Sequence, residues 1–379
     1  MPAKIKSITL IPVRVPIPYE RVNCPEFADQ MLTRDANNGW GATTFFGDMP
    51  FLVVKVQGDD GSVGWSDSRR YDKTDRVAED VIDYARNFVG ESCRGLDPAK
   101  AHLGLEVSRP EVRFQEVQTA ALVWSAEARR IPFYSLFGEK VRDEVRVEYW
   151  SGFRTPAGAE EFAREGRQRG FCGLKLKAHL DIDVAGVTEA VFRGGGEDFH
   201  LNIDPNGRWE TVDAAVERAR AMLEVSSNVL LEDPIYNKPK VAEIRRQTGI
   251  PTAVSVTRPE GVRETLALEA ADVFNLGGNW VNQISTAASI EKSGLPYWLS
   301  SSVETGLGDM ASAHFAAALP GCTIGSDLAG NLVREHNLLT EPIEYRNGHA
   351  VVPDSPGLGV AADEEAIENY RIGDPVVVQ

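Results

Sequence analysis

A chain of 379 residues is too long for one small core, so two domains, or one large barrel with an appendage, is the starting expectation. Hydrophobic residues make up 42% and charged ones 25%, which is ordinary for a globular protein, while a net charge of −16 without any Lys/Arg cluster excludes a nucleic-acid-binding surface. No window approaches the roughly 18 apolar residues of a membrane span, and the N-terminus has no signal-peptide core.

Cys24, Cys93, Cys172 and Cys322 are scattered, without metal-ligand spacing or the density of a disulfide scaffold. They imply a reduced, cytoplasmic protein, with Cys172 a small buried hydrophobe. An anionic substrate then needs a local positive site against the global field.

Residues 4 to 16 read as a strand. The segment from about 19 to 48 is rich in Asn, Gly, Asp and aromatics (Tyr19, Trp40, Phe45, Phe46), and its length marks it as a lid or binding loop. Residues 51 to 65 form a hairpin by their alternation and the Asp59-Asp60-Gly61 turn. Helical periodicity follows at about 73 to 89, 98 to 107 and 111 to 130, so an α+β domain occupies roughly the first 130 residues.

From about 145 onward short strands alternate with amphipathic helices. Strands are expected at 145–150, 173–178, 199–204, 228–233, 252–256, 272–277, 296–302 and 322–327, with helices between them at 181–192, 211–225, 239–247, 260–269, 282–293 and 307–318. Eight strands joined this way argue for a parallel (β/α) barrel, in which strand C-termini carry the chemistry. The tail beyond Leu338 leaves the alternation and is expected to return to the first domain.

One strand is chemically unusual. Residues 170–178, Gly-Phe-Cys-Gly-Leu-Lys-Leu-Lys-Ala, put Lys175 and Lys177 on one face and Leu174 and Leu176 on the other. Two ammonium groups in a sheet interior need counter-charge. Asp204 and Glu232 supply it, each at the end of a short apolar run near Pro. Glu304, Asn275 and Asp309 also fall near strand ends.

The Lys-x-Lys strand, the acids Asp204 and Glu232 on the next two strands, "SSSVETGLG" around Glu304 and the C-terminal "PDSPGLGV" resemble the enolase superfamily, in its mandelate racemase and muconate lactonizing enzyme branch. The N-terminal hairpin and "VQTAALVWSAEARRIPFYSLFG" also match, so the resemblance covers nearly the whole chain. It implies a (β/α)7β barrel at 136–339 under an α+β capping domain at 1–135, which residues 340–379 complete.

It also implies Mg²⁺-assisted removal of a proton beside a carboxylate, with the metal holding the resulting enediolate charge. Lys177 is then the base, Lys175 lowers its pKa and offsets substrate charge, and Glu304 donates to the substrate carboxylate. Asp204 and Glu232 are expected metal ligands; Tyr149, Arg69 and His179 together with Asn275 are expected substrate contacts. The expected partners are a small carboxylate substrate and further copies of the chain in a symmetric homo-oligomer, without nucleic acid or membrane.

Two departures narrow this reading. The family's third metal ligand is an acid on the strand after Glu232, but here no acid stands before Glu260 and the nearest equivalent is Ser255, so Mg²⁺ is expected to bind weakly or only with substrate. On the opposite face, Gly277 stands where relatives carry Lys, and Ser301 and Ser302 stand where others place His. Racemisation through two bases is therefore disfavoured against a one-base elimination of water or a cycloisomerisation. The other reading left open is a scaffold that has lost catalysis and binds small molecules. The aromatics of the 19–48 segment hint at a partly apolar substrate.

Overall fold

The computed structural model describes residues 1–22, 24, 26, 50–69, 75–98, 115–178, 182–301 and 303–379. Most of the 19–48 segment, the 98–107 helix, Arg70, Tyr71, His179 and Ser302 therefore lie outside the described residues, and of Arg69 the backbone alone is described.

The N-terminal strands are β1 (Ile5–Val13), β2 (Phe51–Gly58) and β3 (Val63–Arg69). Gly61 at the β2–β3 turn takes φ 86°, the left-handed conformation that glycine adopts without strain. β1 pairs antiparallel with β2, and β2 with β3. The helix Gln115–Ala128 packs on this hairpin, and Gly64 makes the approach feasible, since a Cβ there would lie 2.3 Å from the Trp124 amide nitrogen.

The barrel strands begin after a short detour. β4 (Glu144–Arg146) and β5 (Tyr149–Ser151) divide the single strand expected at 145–150. β4 joins β12 (Tyr345–Arg346) and β13 (His349–Val351) in a separate three-stranded sheet, and only β5 enters the barrel. Parallel neighbours follow in chain order: β6 (Gly173–Lys177), β7 (His200–Asp204), β8 (Val229–Glu232), β9 (Thr252–Val256), β10 (Val273–Leu276) and β11 (Tyr297–Leu299).

The eighth position is held by an irregular segment instead of the strand expected at 322–327. Tyr297 bridges Cys322 and Val147 bridges Ser326, both in parallel sense, so this segment closes the barrel between β11 and β5. At the C-terminus β14 (Val376–Val378) pairs with β1, and the tail thereby completes the capping sheet. The result is an α/β fold, a (β/α)7β barrel with an N-terminal α+β cap.

Helices between the strands start where a side-chain oxygen accepts an otherwise orphaned backbone N–H. Thr155, Asp183, Thr211, Asn237 and Asn279 each do this. Inside the barrel, Leu230, Ala253, Val273 and Trp298 form a small apolar layer with Ile324 against them. Polar residues lie above that floor, toward the strand C-termini. Cys172 departs from expectation: it is exposed, because at the entrance to β6 its carbonyl accepts the His200 N–H while its side chain faces outward. No helix among the described residues is long and apolar enough to cross a membrane.

Candidate functional site

Alternation along β6 turns Lys175 and Lys177 into the barrel, as the sequence implies. The β6–β7 register sets Lys177 opposite Asp204 and Lys175 opposite Asn202. The Lys177 ammonium donates to Asp204 Oδ2. Asp204 Oδ1 also accepts the Asn206 N–H at 2.9 Å.

One layer deeper, Lys175 is 2% exposed and bound on three sides. Its Nζ lies 3.0 and 2.8 Å from the two oxygens of Glu232, 2.8 Å from Asp327 Oδ2 and 3.6 Å from Asp204 Oδ2. The Trp298 ring lies beneath it, 5.5 Å away. Glu232 is also gripped by two amides, Asn275 on Oε1 and Asn202 on Oε2, each at 2.8 Å.

The charges follow from this enclosure. Burial opposes charge on Lys175, but Asp327, Glu232 and Asp204 outweigh it and hold the ammonium well above its ordinary range. Burial likewise works against Asp204, yet Lys177 and Lys175 keep its carboxyl below the ordinary value. For Glu232, burial and the Asp204 charge prevail over Lys175 and push the carboxyl up to about 8.

These residues do not fit a divalent cation in the manner expected. Both oxygens of Glu232 already receive two N–H donors each, and Asp204 is held by Lys177 and Asn206. Ser255, in the third position, offers a neutral hydroxyl, and its N–H is donated to Asp233 at 3.1 Å. Among the described residues no three acid, His or Cys side chains form a metal-holding group.

Beside the cluster lies a cavity of about 210 Å³ between the cap and the ends of β9, β10 and β11. Hydroxyls from Ser66, Ser68, Thr119, Ser255, Thr257 and Ser300 line it, with the amides of Gln115, Asn275 and Gln283 and the acids Asp67 and Glu304. Asn275 joins the cavity to the cluster, since it lines the one and donates to Glu232 in the other. Two residues that line it, Asn275 and Asp67, each carry a buried side-chain oxygen, Oδ1, without a hydrogen-bond partner. Burial pushes the Asp67 carboxyl up to about 6, against the Thr305 N–H that its other oxygen accepts at 2.8 Å.

Glu304 is fixed from behind. Val303 before it takes φ 61°, a strained conformation for a β-branched residue, and Arg334 holds the Val303 carbonyl with bonds of 3.2 and 2.6 Å. Gly330 presses against the Glu304 carbonyl so closely that a Cβ would lie 1.5 Å from it. Gly330→Ala is therefore expected to displace the Glu304 backbone and cost about 1–3 kcal/mol or more. An unchanged urea midpoint would contradict this contact.

The structure brings together Lys175, Lys177, Asp204, Glu232 and Asn275, and places Ser255 and Glu304 on the adjoining cavity. Tyr149 does not join them: it points outward, packs on Phe162 and Phe171, and donates its hydroxyl to Glu165 at 2.7 Å. Its parity is the reason, for in β5 it alternates with Trp150, which pairs with Lys175 in register. Asp309 accepts two bonds from Asn331, on the separate helix Gly330–Val333, and does not join them either. Asp327 and Asn202 are functional candidates absent from the sequence reading. Asp327 ends the expected eighth strand and Asn202 shares the inward parity of Asp204, so the rule that found Asp204 also points to them.

Comparison with known proteins agrees with this architecture. Residues 158–366 match the family described as enolase C-terminal domain-like. Muconate cycloisomerase 1-1 of Acinetobacter lwoffii is 27% identical over 341 residues, 84% of this chain and 88% of that protein. Muconate cycloisomerase 1 of Rhodococcus opacus is 30% identical over 275 residues, covering 68% and 72% respectively. Among solved structures, the N-succinyl Arg/Lys racemase from Bacillus cereus ATCC 14579 superposes with a TM-score of 0.79 at 20% identity, over 99% of this chain and 100% of that one. With the barrel, the cap and the Lys-x-Lys cluster in place, the chain belongs to the mandelate racemase and muconate lactonizing enzyme branch of the enolase superfamily.

Proposed function

We propose that this chain is a lyase that removes water from a small hydroxylated carboxylate, with Lys177 taking the proton beside the carboxylate. The observation that carries this reading is the cavity lining, which is mostly hydroxyls, amides and acids. Such a lining calls for O–H donors and acceptors on the ligand, since a polar group buried without a partner costs about 1–3 kcal/mol. An acid sugar supplies such donors. A largely apolar diacid does not.

The choice of a one-base reaction rests on the ends of β10 and β11, where Gly277 contributes no side chain to the cavity and Ser300 and Ser301 contribute hydroxyls in place of a second base. In the elimination, Lys177 acts as the free amine after giving its resting proton to water. It takes the proton beside the carboxylate and leaves the electron pair as an enediolate; the pair then forms the double bond as the neighbouring C–O bond breaks, and the Lys177 ammonium returns the proton to the departing hydroxide on the same face. The resemblance implies Mg²⁺, which would supply positive charge at the substrate carboxylate, but the residues present do not fit it, because Asp204 and Glu232 are engaged by lysines. The route above uses this chain's own residues alone.

A binding protein is the competing reading, favoured by the engagement of both expected metal ligands with lysines. Incubating the chain in D₂O with a panel of acid sugars, amino acids and muconates separates the two. Deuterium entering beside the carboxylate of unreacted acid sugar, together with formation of a keto acid that carries deuterium next to its ketone, is the expected result. Thermal stabilisation by a panel member without exchange or turnover would support the binding reading instead.

A further inference from the structure

The geometry points to the Lys175 ammonium as the resident cation of this site, occupying the seat among Asp204, Glu232 and Asp327 that a divalent ion would otherwise need. Three carboxylates from three different parts of the barrel converge on its Nζ, at 2.8 Å from Glu232, 2.8 Å from Asp327 and 3.6 Å from Asp204. Acids that converge on one point can hold Mg²⁺ in other proteins, but here the point is filled by a covalently tethered charge, and among the described residues no group of three acids is arranged to hold a metal.

The surroundings are built for a fixed ammonium. Asn202 and Asn275 donate to the two oxygens of Glu232, so each oxygen faces N–H groups. An amide N–H repels a metal ion, and a metal would have to turn both amides away as well as expel the lysine. Trp298 seats the ammonium from below and donates to Asp327 Oδ2 at 3.4 Å, which fixes that carboxylate on the lysine side. Ser255 at the remaining position brings no compensating negative charge. Removing an ion already neutralised in a buried site is costly, so a divalent competitor gains little.

The chemical consequence is a site whose deep positive charge is carried by a tethered ammonium instead of an exchangeable ion. Resting on the proposed proton abstraction, the enediolate would be held by N–H donors and the Lys175 charge, and turnover would not depend on added metal. Exclusion of the metal does not rest on that reading.

The test is a titration of the full chain with Mn²⁺, reading free ion by electron paramagnetic resonance. Wild-type protein is expected to leave Mn²⁺ free up to millimolar concentration. Lys175→Met keeps the bulk and removes the charge, and is expected to take up one Mn²⁺ per chain at least about tenfold more tightly. Should that variant fail to fold, Lys175→Met with Asp327→Asn leaves two acids, and the same gain in uptake over wild type is expected. Submillimolar binding of one Mn²⁺ by the wild-type chain overturns the inference, as does the absence of any gain in a folded variant. Neither readout uses turnover, so failure of the lyase reading leaves the outcome intact.

Discussion

Replacing Lys177 with Arg is expected to lower α-proton exchange by at least about a hundredfold while leaving the fold and substrate binding in place. The guanidinium keeps the positive charge that Asp204 is paired with, but it does not give up a proton and so cannot act as the base. Lys177→Ala should lose exchange as well, yet it also leaves Asp204, 1% exposed, without its ammonium, and removing one partner of a buried pair costs about 3–5 kcal/mol. Comparing the two separates chemistry from stability. Exchange monitored by proton NMR in D₂O decides the matter: a Lys177→Arg protein that still exchanges would remove Lys177 from the base role.

Glu148→Gln is expected to stabilise the protein, and to do so more strongly as pH rises. Glu148 is 2% exposed, and neither carboxylate oxygen has a partner. Gly173 and Gly325 close around it; a Cβ at either would lie 2.2 or 2.4 Å from one of its oxygens. Burial pushes its carboxyl up to about 7 from an ordinary value of 4.5.

Between those values the folded chain binds more protons at this site than the unfolded chain, so stability falls as pH rises through the window. The shift corresponds to about 3 kcal/mol, fully present below the unfolded value and lost by neutral pH. Glutamine has the same shape and no charge to bury. The variant should therefore match wild type near pH 4.5 and exceed it in thermal midpoint at pH 8. His314 acts with the opposite sign, because burial lowers it to about 4 and its contribution is lost as pH falls below its ordinary value. The difference between variant and wild type cancels that background. A pH-independent difference would show that Glu148 is not charged at a cost.

Much of the site was legible because period-two alternation needs no tertiary information. Lys175 and Lys177 had to share a face, and acids ending apolar runs had to sit at strand C-termini if those runs were parallel. Helix starts were equally local, being written by Thr, Asp and Asn caps. The extent of a strand was less legible. Residues 145–150 read as one strand, but the first half pairs with β13 and only Tyr149–Ser151 enters the barrel, where its parity turns Tyr149 to the outer helix layer.

What the sequence by itself determined is therefore the inventory and its sidedness: two inward lysines, inward acids, a cap and a parallel barrel. The tertiary structure decided which charge meets which. The β6–β7 register sets Lys177 on Asp204, and closure of the barrel by 322–326 brings Asp327 from the chain's far side onto Lys175. Those pairings depend on shear and closure, which are properties of the whole sheet, and no local pattern encodes them.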